Sequence, residues 1–347
     1  MAGRTLHGVN LTGWLTLESW VTPGLFAPYG ALDEPSLIHA LGRTAYHELV
    51  RRHRASFIQQ EDFSRIASRG FNAVRLPVPW YVFGDAGPTP GPYLGCIDYV
   101  DKAFDWAEEI GLNVLLALAI SPGAAPIDGA SSHYFSDLRA YRDRALDVIA
   151  ALSRRYASRM GFFGLALAEE VRPQVRHGLT LTDGVPKHVL RNYYRDAYDT
   201  VRDIAGPEVF VVMPDGGEPA ALRRFVSSGR FENVWIDCDL SREVAKVDVV
   251  GPAGVRKIVN ATKRHLADAG LASSLASVGK WSASLPYADS MMTPEGRVAI
   301  ERIYVSEQLG VYEQLPGWFF QTWKTEGLLA SWDARVALAT FERGMIV

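Results

Sequence analysis

The chain has 347 residues, of which 48% are hydrophobic and 22% are charged, a composition typical of a globular protein with a large core. Its formal net charge of −3 argues against nucleic acid and anionic membranes as partners. No run of 18 or more apolar residues occurs, so no membrane-spanning segment is expected. Nothing in the sequence indicates an oligomeric state.

The termini and the cysteines bear on compartment and cofactors. Residues 1–7 contain no apolar signal core, so a cytoplasmic location is expected. The only two cysteines, Cys96 and Cys238, are expected to be unpaired thiols in a reducing compartment. No group of His, Asp or Glu has the spacing of metal ligands, so neither a metal nor another cofactor is expected. Only seven of the 36 basic residues are lysine, so a lysine at a strand end is not compositional background.

Apolar strand-like runs alternate with amphipathic helical stretches along the whole chain, which is typical of a parallel α/β fold. The sequence predicts eight strands, at residues 8–11, 73–77, 114–119, 164–168, 209–213, 234–236, 276–279 and 317–322. Helices are predicted between most of them, at residues 99–110, 138–156, 189–204, 255–269 and 294–314. Eight strands with intervening helices predict a closed (β/α)₈ barrel, formed by residues 1–347 as one domain.

Long motifs resemble those of one known family. Residues 8–15 read GVNLTGWL, residues 17–23 read LESWVTP, residues 70–78 read GFNAVRLPV, and residues 317–326 read GWFFQTWKTE. In this order, they resemble the exo-β-1,3-glucanase branch of glycoside hydrolase family 5. The resemblance implies a (β/α)₈ barrel with its active site at the carboxyl ends of the strands, and a sugar as ligand.

The catalytic positions of that family are altered in this chain. Residues 277–282 read SVGKWS and resemble the family's V-G-E-W-S, so Lys280 stands where the resemblance implies the nucleophilic Glu. Residues 164–171 read GLALAEEV, and an ungapped alignment with the family's N-E-P places Glu170 at the acid/base and Glu169 at the Asn. Strand alternation agrees, because Glu170 then shares one face with Gly164, Ala166 and Ala168, while Leu165 and Leu167 face the helices. The other register, with Glu169 as acid/base, stays open.

Other positions that bind sugar in the family are partly kept. The resemblance implies that Glu18 holds the terminal sugar and that Arg75 bonds the residue at the nucleophile position. Further candidate sugar contacts are Asp128, Asp237, Asp239, Trp281, Gln321 and Trp323. For Trp281 and Trp323, stacking on a sugar competes with simple core packing. Asp237 and Asp239 could equally be loop-capping residues. Gln321 replaces a family tryptophan, residues 117–119 read ALA where the family has D-L-H, and residues 237–241 have lost the family's His and Tyr.

Lys280 has two interpretations. As a structural group it would form a salt bridge with Glu169 and Glu170 and stay charged. As a functional group it would be an amine of lowered pKa, able to act as a base or to form a Schiff base with a carbonyl. In neither case can it replace the carboxylate that attacks the sugar in a retaining glycosidase. An inverting mechanism with Asp239 as the base is also conceivable.

Three functions therefore remain open. The first is a repurposed enzyme acting on a sugar or sugar-derived small molecule, with Glu170 as acid/base and Lys280 as base, electrostatic group or Schiff-base former. The second is a catalytically inactive barrel that binds a carbohydrate. The third is residual β-glucosidase activity. An open pocket with Lys280 reachable and close to Glu170 would favour the first, whereas a pocket filled by side chains would favour the second.

Overall fold

Eight parallel strands close into a barrel in a computed structural model, which describes residues 5–87, 91–120, 125–126, 133–134, 138–174, 176–177, 180–181, 184–241, 251–285 and 293–339. Each strand lies beside its neighbours in the sequence, and the last strand pairs with the first. The strands are β1 (Leu6–Asn10), β2 (Ala73–Pro79), β3 (Asn113–Ile120), β4 (Phe162–Ala166), β5 (Phe210–Pro214), β6 (Val234–Asp239), β7 (Ala276–Trp281) and β8 (Gly317–Phe320). All eight predicted strands are confirmed, with ends that differ by no more than three residues.

Helices lie between the strands and cover the outside of the barrel. They are α1 (Glu34–Ser56), α2 (Gln60–Ser68), α3 (Ile97–Ile110), α4 (Leu138–Tyr156), α5 (Lys187–Ala205), α6 (Pro219–Ser228), α7 (Gly251–Ala269), α8 (Pro294–Tyr312) and α9 (Ala334–Ala337). Two short antiparallel pairs join Ala125–Pro126 to His133–Tyr134 and Arg176–His177 to Thr180–Leu181. Within the described ranges, no helix has the length and apolarity needed to cross a membrane.

The amino-terminal end of the barrel interior is filled by side chains. Phe163, Phe210 and Trp235 pack against one another with ring centroids 4.6 to 5.1 Å apart. Further inward-facing strand residues complete this inner cluster, namely Leu6, Ala73, Leu115, Ala117, Ala166, Val212 and Phe319. A packed barrel interior leaves the carboxyl ends of the strands as the place for a site.

A β-bulge at Gly279 sets the direction of the side chains at the end of β7. Cys238 pairs with Val278 and Asp239 pairs with Lys280, so Gly279 is an extra residue in β7. A Cβ on Gly279 would lie 2.2 Å from Asp237 Oδ2 and 2.3 Å from an Arg75 nitrogen, so only glycine fits beside this ion pair. The extra residue changes the alternation of β7, so Lys280 faces the inside of the barrel.

The chain departs from strand alternation after β4. Leu165 and Leu167 pack in the outer core, as predicted. Ala168 also packs there, because β4 ends at Ala166 and the next residues leave the pleat. Glu169 consequently reaches the barrel interior, and Glu170 follows in a left-handed conformation with φ of 49°. The predicted face shared by Ala168 and Glu170 is therefore wrong for Ala168.

Candidate functional site

Five charged side chains form a connected network at the carboxyl ends of the strands. Arg75 of β2 lies 3.0 Å from Asp237 of β6 and 3.1 Å from Glu169. Lys280 Nζ lies 2.8 Å from Glu169 Oε2 and 3.5 Å from Glu170 Oε1. Glu170 has the most exposed side chain of the five, at 16%, whereas Arg75 is 1% exposed. Two carboxylates that follow β4 are thus held by two cations from different strands.

The network fixes the charge of Lys280. Burial acts to lower the pKa of its amine, but Glu169 and then Glu170 outweigh burial and raise the pKa above its ordinary value. Burial likewise acts to raise the pKa of Glu169, but Lys280 and Arg75 lower it below its usual range. Lys280 is therefore an ammonium and Glu169 a carboxylate at neutral pH. This geometry favours the salt-bridge interpretation of Lys280 over a free amine that acts as base or Schiff-base former.

The two aspartates of β6 have different surroundings. Asp237 is buried, and burial raises its pKa to about 6, opposed by Arg75 and assisted by Glu169. Asp239 is exposed at the strand end, where its Oδ1 accepts hydrogen bonds from the Ser241 backbone N–H at 3.0 Å and hydroxyl at 2.5 Å. Asp239 thus caps the following turn, and both aspartates also line the pocket.

An open pocket lies above the charged network. Its empty volume is about 750 Å³, including the mouth. Lys280, Glu169 and Glu170 reach its wall, so Lys280 is accessible from the pocket and close to Glu170. The other lining residues are Arg75, Val171, Arg172, Pro214, Asp215, Gly216, Gly217, Asp237, Asp239 and His265. Most of the lining residues carry ionisable side chains, and the pocket is open rather than filled by side chains.

Glu18 lies in the segment after β1, electrostatically coupled to the network. Its Oε2 accepts a hydrogen bond from the Trp20 indole N–H at 2.6 Å. Burial raises the pKa of Glu18 to about 7; Lys280 opposes this shift, and Glu170 and Glu169 add to it. Glu18 is therefore a carboxyl group that titrates near neutral pH, close to groups of the site that stay charged.

Glu18→Gln is expected to remove a pH dependence of stability. A carboxyl whose pKa rises from 4.5 to about 7 on folding binds its proton more tightly in the folded state. Its contribution is present below pH 4.5 and is lost as the pH rises to about 7, by about 1–3 kcal/mol. Urea unfolding of both proteins between pH 4 and 8 measures this, since the stability of the wild type minus that of the variant should fall across the window. A constant difference would contradict the expected titration.

Two of the tryptophans proposed for sugar stacking are buried away from the pocket. The bulge at Gly279 turns Trp281 outwards, where it is 0% exposed and packs edge-on against Tyr312 and Phe320. Trp323 is 1% exposed, and its indole N–H donates to Asp62 of α2 at 2.9 Å. The stacking role predicted for Trp281 and Trp323 is therefore wrong, because both rings belong to the outer core.

The remaining predicted contacts are divided. Gln321 is buried, and its Oε1 accepts a hydrogen bond from the Thr12 hydroxyl at 3.1 Å. Asp128 lies outside the described residues, so its proposed sugar contact stays a prediction. The sugar contacts proposed for Glu18, Arg75, Asp237, Asp239 and Gln321 also stay predictions.

Sequence reasoning missed one group of potential metal ligands. Asp215 directly follows β5, Cys238 lies in β6, and His265 lies in α7. One ligand atom from each side chain comes within 4.8 Å of the others. Residues so far apart along the chain have no spacing signature, because only the fold brings them together. The expectation that the protein binds no metal stays a prediction. Both cysteines are free and buried.

Comparison with known proteins identifies relatives over nearly the full chain. A probable glucan 1,3-beta-glucosidase of Arthroderma benhamiae is 30% identical, and the alignment covers 94% of this chain and 86% of that protein. A probable glucan 1,3-beta-glucosidase A of Aspergillus fumigatus is 29% identical, with 96% and 86% covered. None of the protein-family models matches the sequence.

Solved structures share the barrel. A rutinosidase from Aspergillus niger superposes with a TM-score of 0.69 at 18% identity, covering 95% of this chain and 92% of its own. A GH5-4 broad specificity endoglucanase from an uncultured bacterium gives 0.64 at 13% identity, with 99% and 91% covered. These likenesses show the fold alone, whereas the 30% identity over almost the whole chain shows the family. The chain belongs to the exo-β-1,3-glucanase branch of glycoside hydrolase family 5, the family of the glucan 1,3-beta-glucosidases.

Proposed function

We propose that this protein is an enzyme that acts on a small sugar or sugar-derived molecule through proton transfer, with Glu170 as acid/base and Lys280 as a fixed cation. The observation that carries the proposal is the pair of contacts of Lys280, 2.8 Å to Glu169 and 3.5 Å to Glu170, at the wall of an open pocket. The relatives' names support a sugar as ligand.

The charge of Lys280 determines which chemistry the site can favour. A retaining glycosidase forms a covalent bond from a carboxylate to the sugar and passes through a transition state of oxocarbenium character. An ammonium at the nucleophile position cannot form that intermediate and opposes positive charge on the sugar ring. The same ammonium stabilises negative charge that develops on a ligand. The site therefore suits a reaction with an anionic transition state.

Proton transfer beside a carbonyl group is such a reaction. Glu170 removes the proton from the carbon next to the carbonyl, and the electron pair of that C–H bond moves onto the carbonyl oxygen as an enolate. One negative charge thereby moves from the Glu170 carboxylate to the ligand oxygen. The Lys280 ammonium can then pair with that oxygen, and the net charge of the site does not change. The hydroxyl proton on the neighbouring oxygen then moves to the former carbonyl oxygen, and Glu170 returns its proton to the former carbonyl carbon. A new carbonyl forms on the adjacent carbon, and this isomerisation needs no oxidant, reductant or second substrate.

Glu170 is better placed than Glu169 for this role. Glu169 is bound to two cations and is 5% exposed, so it is a permanent carboxylate that orients Lys280. Glu170 lies farther from Lys280, and its side chain is 16% exposed towards the pocket. Glu18 and Asp239 add polar groups near the pocket that can bind hydroxyls.

A second candidate is a barrel that binds a sugar without turnover. One specific observation favours it: ion pairs of 2.8 to 3.1 Å join Lys280 to Glu169, Glu169 to Arg75 and Arg75 to Asp237. Such a network can stabilise the barrel without any chemical role, and the pocket would then only bind its ligand.

Solvent isotope exchange tests these candidates. Aldoses and ketoses are incubated with the protein in D₂O, and loss of the C–H signal next to the carbonyl is followed by ¹H NMR. We expect exchange that Glu170→Gln and Lys280→Met each lower by about 100-fold or more. Lys324→Met is the matched control, because that lysine is also paired to a carboxylate, Asp62, but lies outside the pocket lining.

The other outcomes separate the alternatives. Saturable sugar binding without exchange across the panel would support the binding protein and overturn the proposed enzyme. Hydrolysis of an aryl β-glucoside by the wild type that persists in Lys280→Ala would support residual glucosidase activity. A borohydride-trapped adduct on Lys280 would contradict its role as a fixed ammonium.

A further inference from the structure

The side chains of Asp215, Cys238 and His265 converge beside the pocket, apart from the Lys280 network. Asp215 and His265 line the pocket, and Cys238 is buried behind them. His265 Nε2 lies 2.5 Å from Asp215 Oδ2, and one ligand atom from each of the three residues lies within 4.8 Å of the others. The cluster joins the end of β5, strand β6 and helix α7. Three parts of the fold thus direct a carboxylate, a thiol and an imidazole to one point.

We propose that Asp215, Cys238 and His265 form a zinc-binding site whose fourth coordination position faces the pocket. The donor set of one sulfur, one nitrogen and one oxygen suits Zn²⁺, whereas Mg²⁺ and Ca²⁺ prefer oxygen ligands alone. Three protein ligands with one open position are typical of zinc sites that bind a water or a ligand oxygen. This inference does not depend on the proposed proton-transfer function.

The surroundings of the three residues fit a metal site. Asp215 and Cys238 are buried, and the side chain of His265 is 22% exposed. Asp215 and His265 line the pocket, so a cation between them would be reachable from it. The second oxygen of Asp215 accepts a hydrogen bond from the Gly217 backbone N–H at 2.9 Å, which orients the carboxylate as an outer-shell contact does.

The three ligand atoms need small shifts to reach the spacing of a zinc site. Zinc lies about 2.3 Å from sulfur and about 2.0 Å from nitrogen or oxygen, so tetrahedral ligand atoms are about 3.3–3.6 Å apart. A separation of 4.8 Å, the upper limit for the three atoms, would have to close by about 1.2–1.5 Å. The 2.5 Å contact between Asp215 and His265 would have to open by about 0.8 Å, and side-chain rotation can supply both changes. Asp215 is already fixed to β6 by its backbone N–H, which donates to the Asp237 carbonyl at 3.0 Å.

The simpler interpretation explains only part of the arrangement. An ion pair between Asp215 and His265 would attach α7 to the end of β5. That pair alone does not require a thiol beside it. The presence of Cys238, whose Sγ lies within 4.8 Å of a ligand atom of each, is what favours a metal.

Cobalt substitution tests the site directly. The full-length protein, reduced and freed of metal, is titrated with Co²⁺ without oxygen, and absorption spectra are recorded. We expect one Co²⁺ per chain, with a near-ultraviolet thiolate-to-cobalt charge-transfer band that Zn²⁺ abolishes by competition. Cys238→Ser should remove the band, and His265→Ala should weaken metal affinity by about 100-fold or more. Cys96→Ser is the matched control, because Cys96 is the other buried thiol and should leave the band unchanged.

The spectra also define failure. Absence of the charge-transfer band in the wild type would overturn the site, and so would a band that survives Cys238→Ser or disappears in Cys96→Ser. Cys238→Ser alters a buried residue, so circular dichroism is used to show that this variant is folded before its spectrum is interpreted. His265→Ala, which changes a partly exposed side chain, gives an independent answer: unchanged metal affinity in that variant contradicts the proposal.

Discussion

Lys280→Met is expected to lower the free energy of unfolding at pH 7 by about 3–5 kcal/mol. The ammonium is the partner of both Glu169, at 2.8 Å, and Glu170, at 3.5 Å. Methionine has a similar shape but no charge, so Glu169 would keep only Arg75 as a cationic partner. A buried carboxylate that has lost a cationic partner lowers the free energy of unfolding more than a neutral side chain at the same position would. Urea unfolding followed by circular dichroism measures the difference.

A double-mutant cycle shows whether the pair is the cause. Glu169→Gln removes the charge that needs compensation, so Lys280→Met should be clearly less destabilising in the Glu169→Gln background. We expect a coupling free energy of about 1–3 kcal/mol. Lys324→Met should cost less than Lys280→Met, because Lys324 is more exposed at 17%, although it also pairs with a carboxylate. Additive effects of the two changes would contradict the network.

The fold was predictable because its signals are repeated and local. Each of the eight strands is an apolar run of a few residues, and each error at a strand end leaves the barrel unchanged. The exchange of Glu for Lys at position 280 was also visible, since a long motif surrounds it. The residues that face the core along each regular strand also follow from the hydrophobic periodicity of the sequence.

The site was less predictable because its geometry depends on irregular backbone. One extra residue at Gly279 turns Lys280 inwards and Trp281 outwards, and alternation cannot reveal such a bulge. The left-handed conformation of Glu170 similarly interrupts the order after β4. Asp215 and His265 were missed because they meet only through the packing of α7 on the barrel.

The charge balance of the network explains why the single substitution Lys280→Glu should not by itself produce glucosidase activity. When all five groups are ionised, two positive charges face three negative charges. Lys280→Glu would leave Arg75 alone against four carboxylates. Neighbouring carboxylates raise one another's pKa, so a nucleophile placed there would be protonated or displaced. We expect this single variant to be less stable than Lys280→Met and inactive on an aryl β-glucoside.

Glu169→Asn combined with Lys280→Glu is expected to produce the glucosidase activity that the single change does not. The pair restores the family's Asn and nucleophile together and reduces the carboxylates that face Arg75 from four to three. Glu18, Arg75 and Glu170 are already in place, so the variant regains two carboxylates of the kind that retention requires. We expect hydrolysis of 4-nitrophenyl β-glucoside at least about 100-fold faster than by the wild type.

Release of 4-nitrophenol measures this gain, and adding Glu170→Gln to the pair should abolish it. That control separates catalysis by the restored carboxylates from traces of another hydrolase. If the folded double variant hydrolyses the substrate no faster than the wild type, Glu169 and Lys280 are not the residues that make this site differ in activity from the family's site. The absence of a gain would then be explained by other altered positions such as Gln321 and Ser241, because a nucleophile without correctly held sugar hydroxyls gains little in rate.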